Sequence, residues 1–347
     1  MRQSLATSSH QDVWWTTVED INSLPEIVAD GVELEYVPLQ RAPFSARWTV
    51  IRLPSMVLRF GRAANPLVHH IRTHADRWLF VIPMVVPSGG RSNGSPIGEA
   101  DIVVCPPGTE NRGFDPEGVE FALVSMDGRT AAPIAAMMPK GAAPSDLVRT
   151  GRDQASALRQ LLERIRGELG IRQSLRRARV HRDVAQGLCR AVLGQLRAAV
   201  RAAEPPTTVR SRMAVVCQAE DFVRQHCGER ISVSRLSTIV GVSERSLRNA
   251  FHDVYATGPK RYLMIRQLHR VRRALRAPGD ISWTVTDIAT LHGFFELGRF
   301  AGDYKGLFGE GPSQTLSRAR QVWVADAAAG AATFGARAAT VRQRLVA

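Results

Sequence analysis

Short apolar runs separated by turn residues fill the first 150 residues of the chain. These runs are rich in Val, Ile and Phe, and Pro, Gly and Asn interrupt them. Runs of this length and spacing are typical of β-sandwiches and small β-barrels. We therefore predict a β-barrel domain over residues 1–150, with a hairpin or loose loop at 87–96. The runs that predict its strands are RWTVIRL, MVLRFGR, WLFVIPMVV, ADIVVCPPG and EFALVSM.

From about residue 151 the apolar residues recur at helical spacing. The stretch 180–200 carries one apolar stripe flanked by Arg. Such a stripe does not identify its partner, so it fits equally a helix that packs on the barrel and a helix that joins two subunits. We interpret 151–205 as a helical segment for dimerisation or relay. The stripe consists of Val180, Val184, Leu188, Val192, Leu196 and Val200.

A proline pair ends this segment, and shorter helices follow it. Pro205 and Pro206 cannot continue a helix, so residues 206–318 are expected to form a separate helical domain. The tail, 319–347, is rich in Ala and Gly, and we expect it to be disordered. The predicted fold class is therefore α+β and multidomain, with a β-barrel first and an all-α domain last.

Two short helical patterns joined by a tight turn lie within residues 231–251. Gly241 stands where the chain must turn sharply, Ser237 is a small residue four positions earlier, and Leu247 is apolar and six positions later. This spacing is typical of a helix-turn-helix unit. Ser243 is placed to cap the second helix.

The second helix of this unit carries a polar face. Arg245, Arg248 and Asn249 suit base edges in the major groove, because Arg can bond guanine and Asn can bond adenine. Ser246 and His252 are better placed for phosphates. The alternative is an ordinary solvated face, which every surface helix has. The predicted DNA contacts of the unit are Ser243, Arg245, Ser246, Arg248, Asn249 and His252.

The same plan recurs over residues 285–309. Gly293 corresponds to Gly241, and Phe300 corresponds to Leu247 with one extra residue between. A long basic helix, KRYLMIRQLHRVRRAL, separates the two units and could hold them at a fixed distance. Two units on one rigid body could enter successive major grooves, about 34 Å apart.

The second recognition helix has fewer side chains that could reach a base. Gly298 and Gly302 have none, and each weakens an exposed helix by about 0.8–1.0 kcal/mol relative to Ala. We therefore expect this unit to contact mainly the DNA backbone, through Arg299 and Lys305. The first unit should carry most of the base recognition.

Residues 212–317 resemble the AraC/XylS family of bacterial transcription regulators. The resemblance implies sequence-specific DNA binding by both units, under control of a signal sensed elsewhere in the chain. Ala256 stands where the family often has Gly. The motifs that carry the resemblance are LSTIVGVSERSLRNAF, Gly258-Pro259 with Tyr262, Arg266-Gln267-Leu268, Ala274, VTDIA, HGF, Phe300, Tyr304-Lys305 and FGEGPS.

The first domain more weakly resembles the cupin-like sensor domain of the same family. ADIVVCPPGTEN, 100–111, is similar to the second cupin motif, and Asn111 stands where metal-binding cupins have His. A carboxamide substitutes poorly for imidazole, so we predict no metal site. His70 and His74 are four residues apart, but they lie between strand-like runs rather than in a helix.

No catalytic residue or cofactor site is predicted, because no glycine motif or nucleophile motif lies in a strand-to-helix context. A small barrel can enclose one small ligand. The aromatic residues that could line such a site, or simply fill the core, are Trp48, Phe60, Trp78 and Phe80.

Charge supports the division of the chain. Residues 1–148 carry 12 Lys and Arg against 16 Asp and Glu, whereas residues 205–317 carry 16 against 10. A basic second part favours a polyanionic partner, although a general bias towards Arg would also raise the charge. Four Cys without a CxxC pair fit a reducing cytoplasm, and neither a signal peptide nor a membrane span is recognisable.

The leading hypothesis is a cytoplasmic transcription regulator, more an activator than a repressor, that binds double-stranded DNA and responds to a small-molecule effector. A homodimer and contact with RNA polymerase are part of this hypothesis, and a membrane is not. One alternative is a cupin-type metalloenzyme fused to a DNA-targeting module. The other is a regulator without an effector, controlled by protein contacts alone.

Overall fold

The computed structural model describes ten stretches of the chain, and they fall into two compact units. The first unit comprises 1–220 with 237–259, and the second comprises 221–236 with 260–347. The described residues are 13–18, 31–40, 44–137, 147–149, 152–171, 178–201, 210–226 with 229, 231–276 and 282–321.

Two antiparallel sheets form the first part of the first unit. The larger sheet has the strand order β1-β3-β4-β11-β6-β9-β12, and the smaller one has the order β2-β5-β10-β7-β8. The strands are β1 (Val13–Val18), β2 (Val32–Pro38), β3 (Ala46–Leu53), β4 (Met56–Ala63), β5 (Leu67–Thr73), β6 (Arg77–Val85), β7 (Arg91–Ser92), β8 (Ser95–Pro96), β9 (Asp101–Cys105), β10 (Glu110–Asp115), β11 (Glu120–Asp127) and β12 (Leu147–Arg149).

The prediction of a β-rich first part followed by helices is confirmed, but the described strands do not close into one barrel. Their hydrogen bonds divide them between two sheets. The predicted hairpin within 87–96 is present as β7 and β8, joined at Asn93 and Gly94, both of which have positive φ. These residue types tolerate the left-handed conformation that a tight hairpin turn requires.

The larger sheet is buried on both faces. Strand alternation sends Val57 and Leu123 into a core between the sheets, and sends their neighbours Leu58 and Val124 to the opposite face. On that face lie α1 (Gly128–Ala135), α2 (Arg152–Ile171) and α3 (Ala178–Arg201). Helices α1 to α3, the larger sheet and the smaller sheet therefore form three layers, and the larger sheet is the middle one.

The apolar stripe of α3 packs inside this unit. Val192 and Leu196 are fully buried and Val200 nearly so, in the same core as the outer face of the larger sheet. Of the two partners that the sequence allowed, the structure therefore favours the sheet for this half of the stripe. The side chains of Val180 and Val184 lie outside the described residues.

The predicted first helix-turn-helix is present. Its helices are α5 (Val233–Val240) and α6 (Glu244–Tyr255), and α4 (Arg210–Gln225) precedes them. Gly241 has φ +73°, which favours Gly, and the amide of Val242 donates to the Ser237 carbonyl at 3.0 Å. The cap is also confirmed, because Ser243 accepts a hydrogen bond from the Ser246 amide at 3.0 Å.

The second unit contains the other predicted helix-turn-helix. Its elements are α7 (Pro259–Arg276), α8 (Val285–Leu291), α9 (Leu297–Phe308) and a last helix, α10, at 312–321. Ile288, Phe300 and Tyr304 are buried in one core with residues of α7. Thr284 and Asp287 form a reciprocal capping box at the start of α8.

Two further sequence predictions concern the C-terminal tail and membrane-spanning helices. Most of the tail, 319–347, lies outside the described residues, which end at 321. Within the described stretches, no helix combines the length and the apolar composition that a membrane crossing needs.

One backbone feature gives a direct test of the first unit. Ala256 ends α6 with φ +53°, a left-handed conformation that costs an L-residue roughly 1–2 kcal/mol. Gly avoids that cost but adds up to about 1 kcal/mol of chain entropy to the unfolded state. We expect Ala256→Gly to raise the free energy of unfolding by about 0.5–1 kcal/mol in urea denaturation. The control Ala191→Gly, at an exposed position inside α3, should lower it by about the same amount. A decrease in both variants would contradict the conformational argument.

Candidate functional sites

The exposed face of α6, together with its N-cap Ser243, carries the six predicted DNA contacts of the first helix-turn-helix. Its buried face consists of Leu247, Ala250, Phe251, Val254 and Tyr255. The opposite face holds every predicted base-contacting side chain, and each is exposed. The helix is therefore fixed on one side by apolar packing and offers polar groups on the other, as insertion into a major groove requires. The six exposed contacts are Ser243, Arg245, Ser246, Arg248, Asn249 and His252.

Arg248 is paired within its own helix. Its Nη2 donates to Glu244 Oε2 at 2.6 Å, one turn earlier, and both side chains are well exposed to solvent. An exposed pair of this kind contributes only about 0.3–0.5 kcal/mol. Arg248 can therefore leave Glu244 for a base at little cost, and the pair holds the guanidinium near the start of the recognition helix meanwhile.

The C-terminal part of α6 is attached to the smaller sheet. Helix α6 packs against β7 and β10, and Arg91 Nη1 donates to the carbonyl of Asp253 at 3.3 Å. The Asp253 carboxylate also accepts a hydrogen bond from Arg212 of α4 at 2.5 Å. These contacts use the end of the helix, so within the first unit the predicted DNA-binding face stays open.

A buried ion pair joins β10 to α4. Arg112 Nε donates to Glu220 Oε2 at 2.9 Å, and the two side chains are only 5% and 2% exposed. Arg112 also contacts Glu110 Oε2 at 2.7 Å and Cys217 Sγ at 3.2 Å. Burial lowers the pKa of Arg112, but Glu220 together with Cys217, Tyr255 and Glu110 outweighs that effect and raises the pKa above its usual value. The guanidinium is thus charged in the interior, where two carboxylates balance it.

Glu110 connects this pair to the rest of the outer face of the smaller sheet. It accepts hydrogen bonds from Arg72 and lies 3.1 Å from His70 Nε2. Burial raises the pKa of Glu110, but Arg72, Arg112 and His70 together lower it to about 2. The carboxylate therefore remains ionised under all ordinary conditions, and strands β5 and β10 are joined by charge on this face.

The opposite face of the same strands carries a buried polar chain between the sheets. His69 Nδ1 lies 2.9 Å from Asp115 Oδ2, and His69 Nε2 lies 3.0 Å from Asn111 Oδ1. Asn111 Nδ2 in turn donates to Ser92 Oγ at 2.8 Å. Gly113 makes room for the imidazole, because a Cβ there would lie 2.7 Å from the ring and 2.0 Å from the Arg91 carbonyl.

Both ring nitrogens of His69 face oxygen atoms, which favours the protonated ring. Burial lowers the pKa of His69, but the charge of Asp115 and the hydrogen bonds that the ring donates to Asp115 and Asn111 raise it above its ordinary value. The imidazolium and the Asp115 carboxylate then form a second buried ion pair. Burial also raises the pKa of Tyr36 well above its usual value, and the charge of Asp115 adds to that effect.

The polar chain lines a small cavity between the two sheets. Its volume is about 30 Å³, whereas pockets for drug-sized ligands measure roughly 300–1,000 Å³. The walls combine His69, Asn111, Asp115, Ser92 and Arg91 with apolar side chains of both sheets. The cavity is therefore suited to solvent or a very small polar molecule unless the sheets move apart.

The four aromatic residues proposed as ligand contacts lie elsewhere. Trp48 is buried in the core between the sheets, with its ring 5.8 Å from that of Phe121, but it is not part of the cavity wall. Phe60, Phe80 and Trp78 pack on the opposite face of the larger sheet, against the helices. In this structure they fill the core.

The histidines considered as metal ligands are engaged with carboxylates instead. His70 bonds Glu110, and His74 Nε2 lies 3.6 Å from Glu33 Oε1. His70 lies in strand β5, and His74 directly follows the last residue of that strand, so neither lies in a helix. Within the stretches that the structure describes, no three His, Cys, Asp or Glu side chains come close enough together to hold a metal ion.

In the second unit, the two predicted contacts are exposed on α9. Arg299 lies 3.9 Å from both Glu296 and Asp303, and its side chain is 63% exposed. Lys305 is exposed six residues further along the same helix. Gly298 and Gly302 face open space, since an added Cβ would meet no atom within 4 Å at either position.

Comparison with known proteins places these elements in a family. A profile described as a helix-turn-helix domain matches residues 236–318. The XylDLEGF operon transcriptional activator of Pseudomonas putida is 38% identical over 100 residues, which is 29% of this chain and 31% of that protein. A probable AraC family transcriptional regulator from Rhodopseudomonas palustris is 30% identical over 30% of this chain and 96% of the solved chain, with a TM-score of 0.27.

This chain belongs to the AraC/XylS family. The family resemblance inferred from the motifs is thereby confirmed, and it concerns the helix-turn-helix part. The chain spans about a third of the length of the curated activator. Over a longer region, the AraC-like transcriptional activator CuxR is 16% identical, covering 76% of this chain and 94% of its own, with a TM-score of 0.42.

Sequence reasoning missed the polar chain and the ion pair of this AraC/XylS-family chain. His69, Asp115 and Glu220 were not selected, although alternation along ENRGFD placed Asn111 and Asp115 on one face and Arg112 on the other. That alternation was the available signal. It becomes informative only when the partner strands and their register are known.

The raised pKa of His69 predicts a pH-dependent stability. Since the folded pKa lies above the unfolded one, His69 stabilises the fold fully below about pH 6.5, and that contribution is lost as the pH rises through the folded pKa. We expect His69→Gln to lower the free energy of unfolding by about 1–3 kcal/mol at pH 6, with a smaller loss at pH 9. The exposed His252→Gln serves as the control and should change neither value. An equal loss for His69→Gln at both pH values would contradict a charged His69.

Proposed function

We propose that this AraC/XylS-family chain is a sequence-specific DNA-binding transcription regulator, and an activator rather than a repressor. The observation that carries the proposal is the exposed face of α6, which presents Arg245, Arg248 and Asn249 from a helix fixed on its other side. The family match over 236–318 supports the same conclusion, as does the name of the Pseudomonas relative, which is an activator.

In this proposal, the two helix-turn-helix units make different contacts with DNA. Arg245, Arg248 and Asn249 read base edges, while Ser246 and His252 contact phosphates beside them. Ser243 caps the helix and leaves its own hydroxyl at the groove. In the second unit, Arg299 and Lys305 bind the DNA backbone. The DNA-binding domain then extends over 206–318.

A signal reaches the DNA-binding helix through β10. Asn111 faces the cavity and its neighbour Arg112 faces α4, so a displacement of this strand acts on both sides at once. A small effector that binds beside His69 and Asn111 would favour one position of the strand over another. The Arg112–Glu220 pair and the Arg91–Asp253 contact would carry that preference to α4 and α6.

The size of the cavity supports a second candidate. Because the cavity measures only about 30 Å³, the first compact unit is equally suited to a regulator that is controlled by protein contacts without an effector. Thermal-shift screening of the intact chain against small polar molecules distinguishes the two. A saturable stabilisation that His69→Gln abolishes supports the effector, and its absence across the screen supports control by protein contacts.

Other parts of the proposal concern assembly and location. We propose a cytoplasmic homodimer that also contacts RNA polymerase. Because Val192, Leu196 and Val200 are buried in their own subunit, the dimer must use a surface other than this part of α3. We further propose that the chain has no enzymatic activity, since its relatives are regulators and their shared region is the DNA-binding part.

The division between base and backbone contacts can be measured with fluorescence anisotropy on a selected operator. Arg248→Ala should reduce discrimination against base changes in its half-site by about 1–3 kcal/mol. Lys305→Ala should weaken all duplexes alike and reduce the slope of log K against log salt by about one. The exposed Arg190→Ala in α3 is the control and should change neither quantity. Wild-type behaviour of both DNA-face variants would refute the assignment.

A further inference from the structure

Two large apolar side chains are exposed where the second recognition helix begins. Phe295 is 60% exposed and Leu297 is 38% exposed. Their neighbours Phe294 and Phe300 pack together in the core of the unit, with ring centroids 4.9 Å apart. The core is thus completed by other residues, and exposure of Phe295 and Leu297 to water needs another reason.

This position is where a helix-turn-helix unit meets base edges. The first residues of a recognition helix approach the floor of the major groove, and Leu297 is the first residue of α9. If the buried Phe300 is aligned with the buried Leu247, the positions of Arg245, Arg248 and Asn249 are occupied by Gly298, Ala301 and Gly302. The second unit therefore presents no long hydrogen-bonding side chain at the three positions that the first unit uses to read bases.

The small residues have a steric consequence. An added Cβ at Gly298 or Gly302 would stand in open space, so no side chain projects from α9 at these two positions. A helix with such a surface can approach the bases more closely than α6 can, and close approach brings Phe295 and Leu297 to the groove edge. In the major groove, the apolar feature within reach is the C5-methyl group of thymine.

The charge around this surface favours DNA over a protein partner. Helix α7 of the same unit carries seven Lys and Arg and no acidic residue. His292, in the turn before α9, has its pKa lowered by burial and by the positive charges of Arg270 and Arg273. Lys305 is exposed on α9 itself, and the carboxylates of Glu296 and Asp303 lie beside Arg299.

We infer that Phe295 and Leu297 contact thymine methyl groups in the half-site of the second unit, so that this unit selects thymine through apolar contacts. The inference rests on the proposed DNA-binding function and deepens it. It replaces a second unit that binds only the backbone with one that reads sequence through shape and methyl groups. The consequence is a half-site with required thymines that Arg or Asn does not read.

The test replaces single thymines by deoxyuridine, which removes only the methyl group. The intact chain is titrated against operator duplexes in which each thymine is exchanged in turn. Loss of one buried methyl contact should weaken binding about threefold to fivefold. We expect this loss at one or more thymines of the second half-site.

Two variants link the effect to the side chains. Phe295→Ser and Leu297→Ser should each bind thymine and deoxyuridine duplexes with equal affinity at the position that the side chain contacts. Leu291→Ser is the matched control, since Leu291 is also apolar and exposed but ends α8 rather than beginning α9. It should keep the wild-type sensitivity. Because all three side chains are exposed, circular dichroism and thermal unfolding should show folded variants.

Each remaining outcome has one meaning. If the wild type binds the operator but no deoxyuridine in the second half-site weakens binding, the inference is wrong and the DNA-binding function stands. If Phe295→Ser and Leu297→Ser keep the wild-type sensitivity to methyl removal and lose only transcription activation, the surface binds a protein, and the inference is again wrong. Absence of duplex binding by the wild type at low salt would refute the proposed function itself.

Discussion

The ion pair between Arg112 and Glu220 is the contact on which the arrangement of the first unit depends. Both side chains are almost completely buried, and either charge alone in that position would be strongly destabilising. The pair therefore restricts where β10 and α4 can lie relative to each other. Glu110 and Cys217 fill the remaining positions around the guanidinium, so the site tolerates little displacement. Within the same unit, α6 packs on β10 and β7, and its exposed polar face keeps its position through that packing.

The two faces of strand β10 make different polar contacts because its side chains alternate between them. Asn111 and Asp115 join His69 between the sheets, while Arg112 joins Glu220 outside them. One buried ion pair thus lies on each face of the strand. A change of charge or occupancy on the inner face acts on a strand that the outer face has tied to helices. In the proposed function, this strand would relay a signal from the cavity to α4 and α6 without a long chain of intermediate residues.

Local features of the sequence predicted the helix-turn-helix units well, and long-range features were missed. The turn at Gly241, the cap at Ser243 and the buried Leu247 lie within seven residues of one another, so propensity and periodicity determine them. The partners Arg112 and Glu220 are 108 residues apart, and no local pattern joins them. The same limitation explains the aromatic residues. Phe60 and Trp48 lie on opposite faces of the larger sheet, and only the pairing register of β3 and β4 decides which face each one occupies. The division of the strands between two sheets likewise depends on pairings that single runs do not reveal.

The arrangement of the first compact unit requires Arg112 and Glu220 to act together as one buried ion pair. A double-mutant cycle with Arg112→Met, Glu220→Leu and both together tests it most directly, with urea denaturation of the intact chain as the measurement. Each single variant leaves one charge without its main partner, so we expect a loss of about 3 kcal/mol in each. The double variant should lose less than the sum by at least about 2 kcal/mol. Losses that add to within about 0.5 kcal/mol would show that the two residues are independent, and would contradict the account.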